Sequence, residues 1–378
     1  MRGHFVVPHF PINIMRSNFN FLKPLLLCPS LSEAEFKKIL PQVSSNFTKE
    51  RSKIKKYVLS PEMISAYALF FVSTNYPKFF FLMNQLDQEV LEDIKKCDFI
   101  DIGTGPGTYL LSFLDFLDGK IGVDQKIIGV DSSDLMLDQA KKIVGGVFPE
   151  YQGNLSFQRP ENLSLRKNSK KVLFFGHSLN EMGIQEAVKL VNNVDPNYLC
   201  FIEPGTPETF EFVLKIRKTM NEAGYDSLYP CSTLSASCPM ENTNDWCHQV
   251  LRMTHDPDVE RMCQLVSKNR RVMPLISHIY KKGKIAEFQK GPIKATLIRV
   301  LKETKFSFQW QVCLLEEGHK LIKVDVLKKF ISKKEIKKLK KVSTGERVSF
   351  EKLKDVSEFF WQVELKGVEN LVKKIPSS

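Results

Sequence analysis

The chain has no long unbroken hydrophobic run. Its most apolar stretch, Met63 to Met83 (MISAYALFFVSTNYPKFFFLM), is interrupted by Asn75, Pro77 and Lys78, whereas a membrane-spanning helix wants about 20 apolar residues in succession. A pair of buried helices joined near Tyr76-Pro77 is expected, with no membrane partner. Acidic residues are missing before Glu33, but Pro8, His9 and Pro11 break any secretory hydrophobic segment. A weak mitochondrial presequence and a ragged start before Met15 are the alternatives there. Cysteines are few, eight in 378 residues, and without a secretory signal they make no disulfide framework. A reducing compartment follows. No internal repeat is present, and the one biased tract is the lysine-dense LKKFISKKEIKKLKK.

What is present is an ordinary globular composition, 43% apolar and 26% charged, in a chain long enough for more than one domain. The net charge of +12 is unevenly placed. Residues 1–250 hold 26 Lys+Arg against 28 Asp+Glu, and residues 251–378 hold 29 against 15. A basic surplus confined to the last third suits a polyanion, for which nucleic acid is the commonest candidate. A solvated lysine-rich face is the bland alternative.

Four regions are expected. Residues 1–96 form a helical N-terminal region, with a Ser32/Glu35 capping box and Ser60-Pro61-Glu62 as a second helix start. Residues 97–225 alternate short apolar runs (98–102, 126–130, 154–158, 171–176, 198–203) with amphipathic segments, as parallel strands with crossover helices do. Residues 226–290 are a cysteine-rich segment of weak periodicity. Residues 291–378 form a small β-rich basic module, in which Phe306, Phe308, Trp310, Val312 and Leu314 alternate with Ser307, Gln309, Gln311 and Cys313.

In FIDIGTGPGTYLLSFL, Gly103, Gly105 and Gly107 stand between a strand ending at Asp101-Ile102 and a helix. Such a turn lets a ligand reach the backbone and the helix N-terminus. The G-x-G-x-G spacing favours S-adenosylmethionine over a dinucleotide, since no pyrophosphate needs cradling. Asp131, at the end of the second strand in KIIGVDSSDLM, can accept from both ribose hydroxyls. After the fourth strand the Asn/Asp-Pro-Pro-aromatic tetrapeptide of nucleic-acid N-methyltransferases is absent, and GHSLNEMG stands instead. Its His177, Asn180 and Glu181 are substrate-side candidates, with helix capping as the alternative for His177. Pro230-Cys231 resembles the nucleophile dipeptide of cytosine C5-methyltransferases but follows the wrong strand.

Cys231, Cys238 and Cys247 lie in CSTLSASCPMENTNDWC with C-x6-C and C-x8-C spacing, wider than zinc knuckles. The segment is polar and turn-rich, unlike core. Iron-sulfur clusters take thiolates from irregular loops, usually four, so a fourth ligand is needed from Cys263, Cys313 or His248. Cys313 is favoured because it lies on the polar face of its strand, where a merely structural cysteine is out of place.

The ordered set FIDIGTGPGT, GHSLNEMG, FIEPGTPETF, YPCSTLSASCPMENTNDWCHQVLR and VCLLEEG resembles the methyltransferase-like small-ribosomal-subunit assembly factors of mitochondria and bacteria, over about residues 30–330. The resemblance implies an α/β class I, Rossmann-like methyltransferase core and an S-adenosylmethionine site at Asp101, Gly103, Gly105, Gly107 and Asp131. It also implies a 4Fe-4S cluster on Cys231, Cys238, Cys247 and Cys313, with zinc as the alternative, and work on small-subunit ribosomal RNA. Where relatives usually have a histidine soon after the first cluster cysteine, this chain has Ser232-Thr233. The function expected is an rRNA methyltransferase acting on or with the small ribosomal subunit during its assembly. A non-catalytic RNA-binding assembly factor that uses its cluster structurally is the alternative. A monomer in the bacterial cytoplasm, or alternatively in the mitochondrial matrix, completes the expectation.

Overall fold

The computed structural model describes residues 19–49, 60–231, 233–284, 291–315 and 320–368; the presequence question at residues 1–15 lies outside them. The N-terminal region is helical, as its capping signals require: α1 (Phe19–Leu22), α2 (Glu33–Lys49), α3 (Pro61–Met83) and α4 (Gln88–Ile94). Ser32 and Glu35 make their reciprocal cap, and the Ser60 hydroxyl accepts from the Met63 N–H ahead of α3.

Helix α3 corrects one expectation, for it runs through Pro77 as a single helix instead of breaking there. Proline forfeits one backbone hydrogen bond, but this helix is buried on nearly every side, so tertiary packing outweighs the local loss. Phe79 shows the packing, its ring meeting those of Phe99, Phe113, Phe116 and Phe174 at centroid separations of 5.8–6.2 Å. No helix among the described residues is long and apolar enough to cross a membrane.

The central unit alternates strand and helix: β1 (Asp98–Ile102), α5 (Thr108–Leu117), β2 (Ile127–Val130), α6 (Asp134–Val147), β3 (Leu155–Gln158), β4 (Lys171–Gly176), α7 (Leu179–Met182), α8 (Ile184–Val194), β5 (Tyr198–Pro204) and α9 (Pro207–Glu222). It continues through β6 (Tyr225–Tyr229), β7 (Gln249–Arg252), α10 (Pro257–Leu265) and β8 (Val272–Lys282). The sheet order is β3-β2-β1-β4-β5-β8-β6, with β7 also paired to β8. Strands β1 to β5 are parallel, and β8 enters antiparallel between β5 and β6. This is the class I methyltransferase arrangement. Strands β6, β7 and β8, from the stretch expected as a cysteine-rich segment, therefore belong to the core sheet. Their pairings bridge more than 70 residues of sequence between β5 and β8, which no local periodicity can announce.

Apolar side chains fill both faces of the sheet, one cluster under α3, α5, α6 and α10 and the other under α8 and α9. The C-terminal module has its own core around Trp310. Its strands β9 (Ile293–Glu303), β10 (Ser307–Leu314), β11 (Leu321–Leu327), β12 (Arg347–Ser357) and β13 (Phe360–Val368), with α11 (Lys333–Leu339) between β11 and β12, close a barrel in the order β10-β11-β13-β12-β9. A three-strand meander, a helix, and a fifth strand parallel to the third is the five-stranded oligonucleotide/oligosaccharide-binding arrangement. Phe308, Trp310, Val312 and Leu314 point into it as the alternation requires, but Phe306, expected among them, sits in the β9–β10 hairpin and is 72% exposed. The barrel is tied to the core by Thr296 Oγ1 donating to Pro230 O at 2.8 Å, Tyr229 OH to Gly345 O at 2.9 Å, and an Arg299–Asp245 ion pair.

Candidate functional site

Gly103, Gly105 and Gly107 have φ of +68°, +52° and +86°, conformations that glycine adopts without strain. A Cβ on Gly103 would stand 2.5 Å from that of Ser178, and one on Gly107 2.7 Å from a Val144 methyl. The loop thus turns from the end of β1 into α5 with its backbone bare at the three glycines. Asp131 is aimed across it: its Oδ2 accepts from Gly105 N–H and its Oδ1 from Ser133 N–H, both at 2.9 Å. Burial pushes the Asp131 carboxyl up, opposed by the N–H groups of Ser133, Gly105 and Ser132.

Asp101 lies beneath the loop, fully buried. Its Oδ2 accepts from the Thr104 hydroxyl at 2.7 Å, while its Oδ1 has no hydrogen-bond partner among the described residues. Burial pushes this carboxyl up to about 8, with Asp131 adding to the rise and Thr104 opposing it. Between about pH 4 and pH 8 the folded state then keeps a proton that the unfolded chain has lost, so this group's contribution to stability falls as pH rises through that window. Asp101→Asn should therefore gain stability over the wild type as the pH goes from about 5 to about 8. Urea unfolding of the ligand-free proteins checks it, and an unchanged gap across that range would refute the assignment.

The carboxyl ends of β4 and β5 supply the other wall. His177 follows β4 with φ +64°, and its Nε2 lies 3.0 Å from Lys78 Nζ on α3. Asn180 and Glu181 follow on α7, whose Leu179 N–H donates to Glu203 Oε1 at 2.8 Å. Burial pushes the Lys78 amine well below the usual lysine range, Arg270 acting in the same sense and Glu203 against it. The Tyr109 ring packs where Gly176 has no side chain; a Cβ there would come within 2.0 Å of it. Its hydroxyl is buried without a hydrogen-bond partner among the described residues. Lys78 and Glu203 were not singled out from the sequence as site residues. The signal for Lys78 was present, as a charge inside an otherwise apolar run, but a helix face cannot be assigned to a neighbour 99 positions away.

A second site lies on the other side of the sheet. Cys231, Cys238, Cys247 and Cys313 line one cavity between core and barrel, together with Arg217, His278 and apolar side chains. All four are free thiols. Cys263 is elsewhere, on α10 in the core cluster that includes α3, and the His248 ring stacks on Trp246 and does not line the cavity. Burial raises Cys247 well above the usual thiol range, with Cys231, Cys238 and Cys313 adding to it. Burial likewise raises Cys313, then Cys231 and Cys238. Among the described residues no three His, Cys, Asp or Glu side chains stand in a metal-holding arrangement.

Arg217, missed from the sequence because a helix arginine is usually a surface residue, is 5% exposed. It donates to Thr233 O and Ala236 O at 3.4 and 3.2 Å and forms no carboxylate ion pair among the described residues. Burial opposes its charge, but Cys231, Tyr280, Cys238 and Cys247 outweigh that and raise its affinity for the proton.

Comparison with known proteins gives a family and a general likeness of fold. A family model for the mitochondrial small ribosomal subunit protein Rsm22 matches residues 61–330. No curated protein matches the chain. Among solved structures, a magnesium protoporphyrin IX methyltransferase from Synechocystis with bound S-adenosylmethionine aligns at 11% identity over 66% of this chain and 97% of that one, TM-score 0.35. A SAM-dependent methyltransferase from Aquifex aeolicus aligns at 18% identity over 40% and 89%, TM-score 0.30. Another, from Thiobacillus denitrificans in complex with S-adenosyl-L-homocysteine, aligns at 13% over 57% and 98%, TM-score 0.30. The fold assignment rests on strand order, not on these scores.

Proposed function

Because the chain belongs to the mitochondrial small ribosomal subunit Rsm22 family, we propose that it is an S-adenosylmethionine-dependent methyltransferase acting on or with small-subunit ribosomal RNA. The family's name favours the mitochondrial matrix over a bacterial cytoplasm. One observation carries the reading: the Gly105 N–H holds Asp131 across a glycine-rich loop at the carboxyl ends of the parallel strands, where ligands of such sheets bind.

S-adenosylmethionine, when bound, supplies an electrophilic methyl group. The residues fit it: Asp131 would take the ribose hydroxyls, and the unpartnered Asp101 Oδ1 suits a buried amine donor. Methyl transfer otherwise asks the protein to align two reactants and accept a proton. His177, Asn180 and Glu181 flank the substrate side. Lys78 Nζ and His177 Nε2, 3.0 Å apart, make a part-buried pair that can hold one proton between them.

The cavity thiols of Cys231, Cys238, Cys247 and Cys313 would hold a 4Fe-4S cluster. Its support is the donor set and the charge balance: four thiols ring a space with no carboxylate in its lining, beside the buried guanidinium of Arg217, which calls for an anion. A single zinc needs its sulfurs drawn to about 2.3 Å of one point, whereas ligands on a cavity wall suit a group with bulk of its own. The role would be structural, pinning residues 231–247 to β10.

The test uses purified protein, methyl-labelled S-adenosylmethionine and small subunits from cells lacking the gene. Label should enter the ribosomal RNA. Small subunits that bind the protein but take up no label would replace this reading with that of a non-catalytic assembly factor.

A further inference from the structure

Among the described residues, most of the exposed large apolar side chains lie on the barrel, Phe306, Phe330 and Phe359 among them. Two of these carry a lysine against the ring: Lys305 Nζ lies 5.6 Å from the Phe306 centroid and Lys329 Nζ 4.8 Å from that of Phe330. They share one rim, since the 3-10 turn Lys328–Phe330 folds back on the β9–β10 hairpin through Lys328 N–H donating to Phe306 O at 2.9 Å. Phe359 stands at the β12–β13 hairpin, where its carbonyl accepts from Lys323 N–H at 2.8 Å.

Between these points runs the outer face of β10 and β11. Their register sets Gln309 opposite Asp325 and Gln311 opposite Lys323. The strip from Lys323 to Leu327 is about 13 Å long at about 3.3 Å per residue, bounded by aromatic rings at both ends and polar along its floor. The upper part of the same face, at Cys313 and Leu321, is covered by the cysteine loop. The open part therefore coincides with the strand 2–3 face and the flanking hairpins through which barrels of this topology take oligonucleotides.

We infer that this strip binds single-stranded RNA, with bases stacking on Phe306, Phe330 and Phe359 and the adjoining lysines meeting phosphate. The inference rests on the RNA reading above and adds the surface, the strandedness and the contact residues. Single strands are favoured because only unpaired bases can lie on hairpin-tip rings, while the polar strand floor offers hydrogen bonds to base edges. Duplex RNA would present backbone to rings that need a flat apolar partner. The lysine surplus of residues 251–378, 29 Lys+Arg against 15 Asp+Glu, supplies the matching charge.

Fluorescence anisotropy on the full chain tests this with a labelled oligouridine of about 12 nucleotides, a duplex of equal length and vesicles containing phosphatidylserine. The wild type should prefer the single strand. Phe306→Ala combined with Phe330→Ala should weaken that binding roughly 10- to 100-fold with an unchanged melting temperature, and Phe306→Tyr should retain it. Wild-type binding that survives the double substitution would overturn the stacking surface while leaving the RNA reading intact. Preference for duplex over single strand would overturn the strandedness, and vesicle binding without RNA binding would replace RNA by a lipid surface. A wild type that binds no RNA of either kind would remove the RNA reading itself.

Discussion

Asp131→Ala should lower the affinity for S-adenosylmethionine by roughly 100-fold while the protein stays folded. Two backbone N–H groups already orient this carboxylate, so its acceptor positions are set before a ligand arrives. A hydrogen bond to a charged group contributes about 1.5–3 kcal/mol, or about 10- to 150-fold in affinity, and a ribose can donate two. Asp131→Asn keeps the shape and one acceptor oxygen, so it should fall between. The fold should tolerate both changes, because burial already disfavours the carboxylate's charge at this position. Isothermal titration calorimetry with the three proteins reads the effect, and equal affinities would remove the ribose role from Asp131.

Cys313→Ser should strip iron from the protein and lower its melting temperature far more than Cys263→Ser. Both cysteines are largely out of water, but they sit in different places: Cys313 on the cavity wall with three other thiols, Cys263 on α10 in the core cluster that includes α3. Packing alone predicts small and similar effects for so conservative a change. A shared cluster predicts a large and unequal one, because metal-linked folding energies reach on the order of 10 kcal/mol in small metal-stapled domains, and losing a ligand here also removes one tie between the barrel and residues 231–247. Anaerobic purification with iron, sulfide and zinc assays supplies the measurement. About four irons per wild-type chain are expected. Stable, colourless, iron-free protein would end the cluster assignment, and one zinc per chain would replace it.

Much of the first site was legible because its parts are local. The strand, glycine turn, helix and acid follow one another within Phe99 to Asp131, and each leaves a mark in side-chain period or backbone requirement. The helical N-terminus was legible for the same reason, through Ser32 and Ser60, though Pro77 was given too much weight. A proline penalty is set by backbone geometry, and a helix buried as fully as α3 overcomes it. The region 226–290 was opaque because β8 pairs with strands on both sides that lie far away in the chain. Its own periodicity is blurred by burial on both faces.

By itself, then, the amino-acid order determined the alternating core, the bare turn facing Asp131, the thiol-rich segment and the basic C-terminal third, since these follow from propensity, spacing and charge. Only the tertiary structure decided that Cys313 rather than Cys263 or His248 lines the cavity with the other three cysteines. It also brought Lys78 to His177, gave the thiols a buried arginine for company, and closed the last five strands into a barrel with Phe306, Phe330 and Phe359 outside. Each of those is a meeting of segments tens of residues apart, and which segments meet depends on how the whole chain buries its apolar surface.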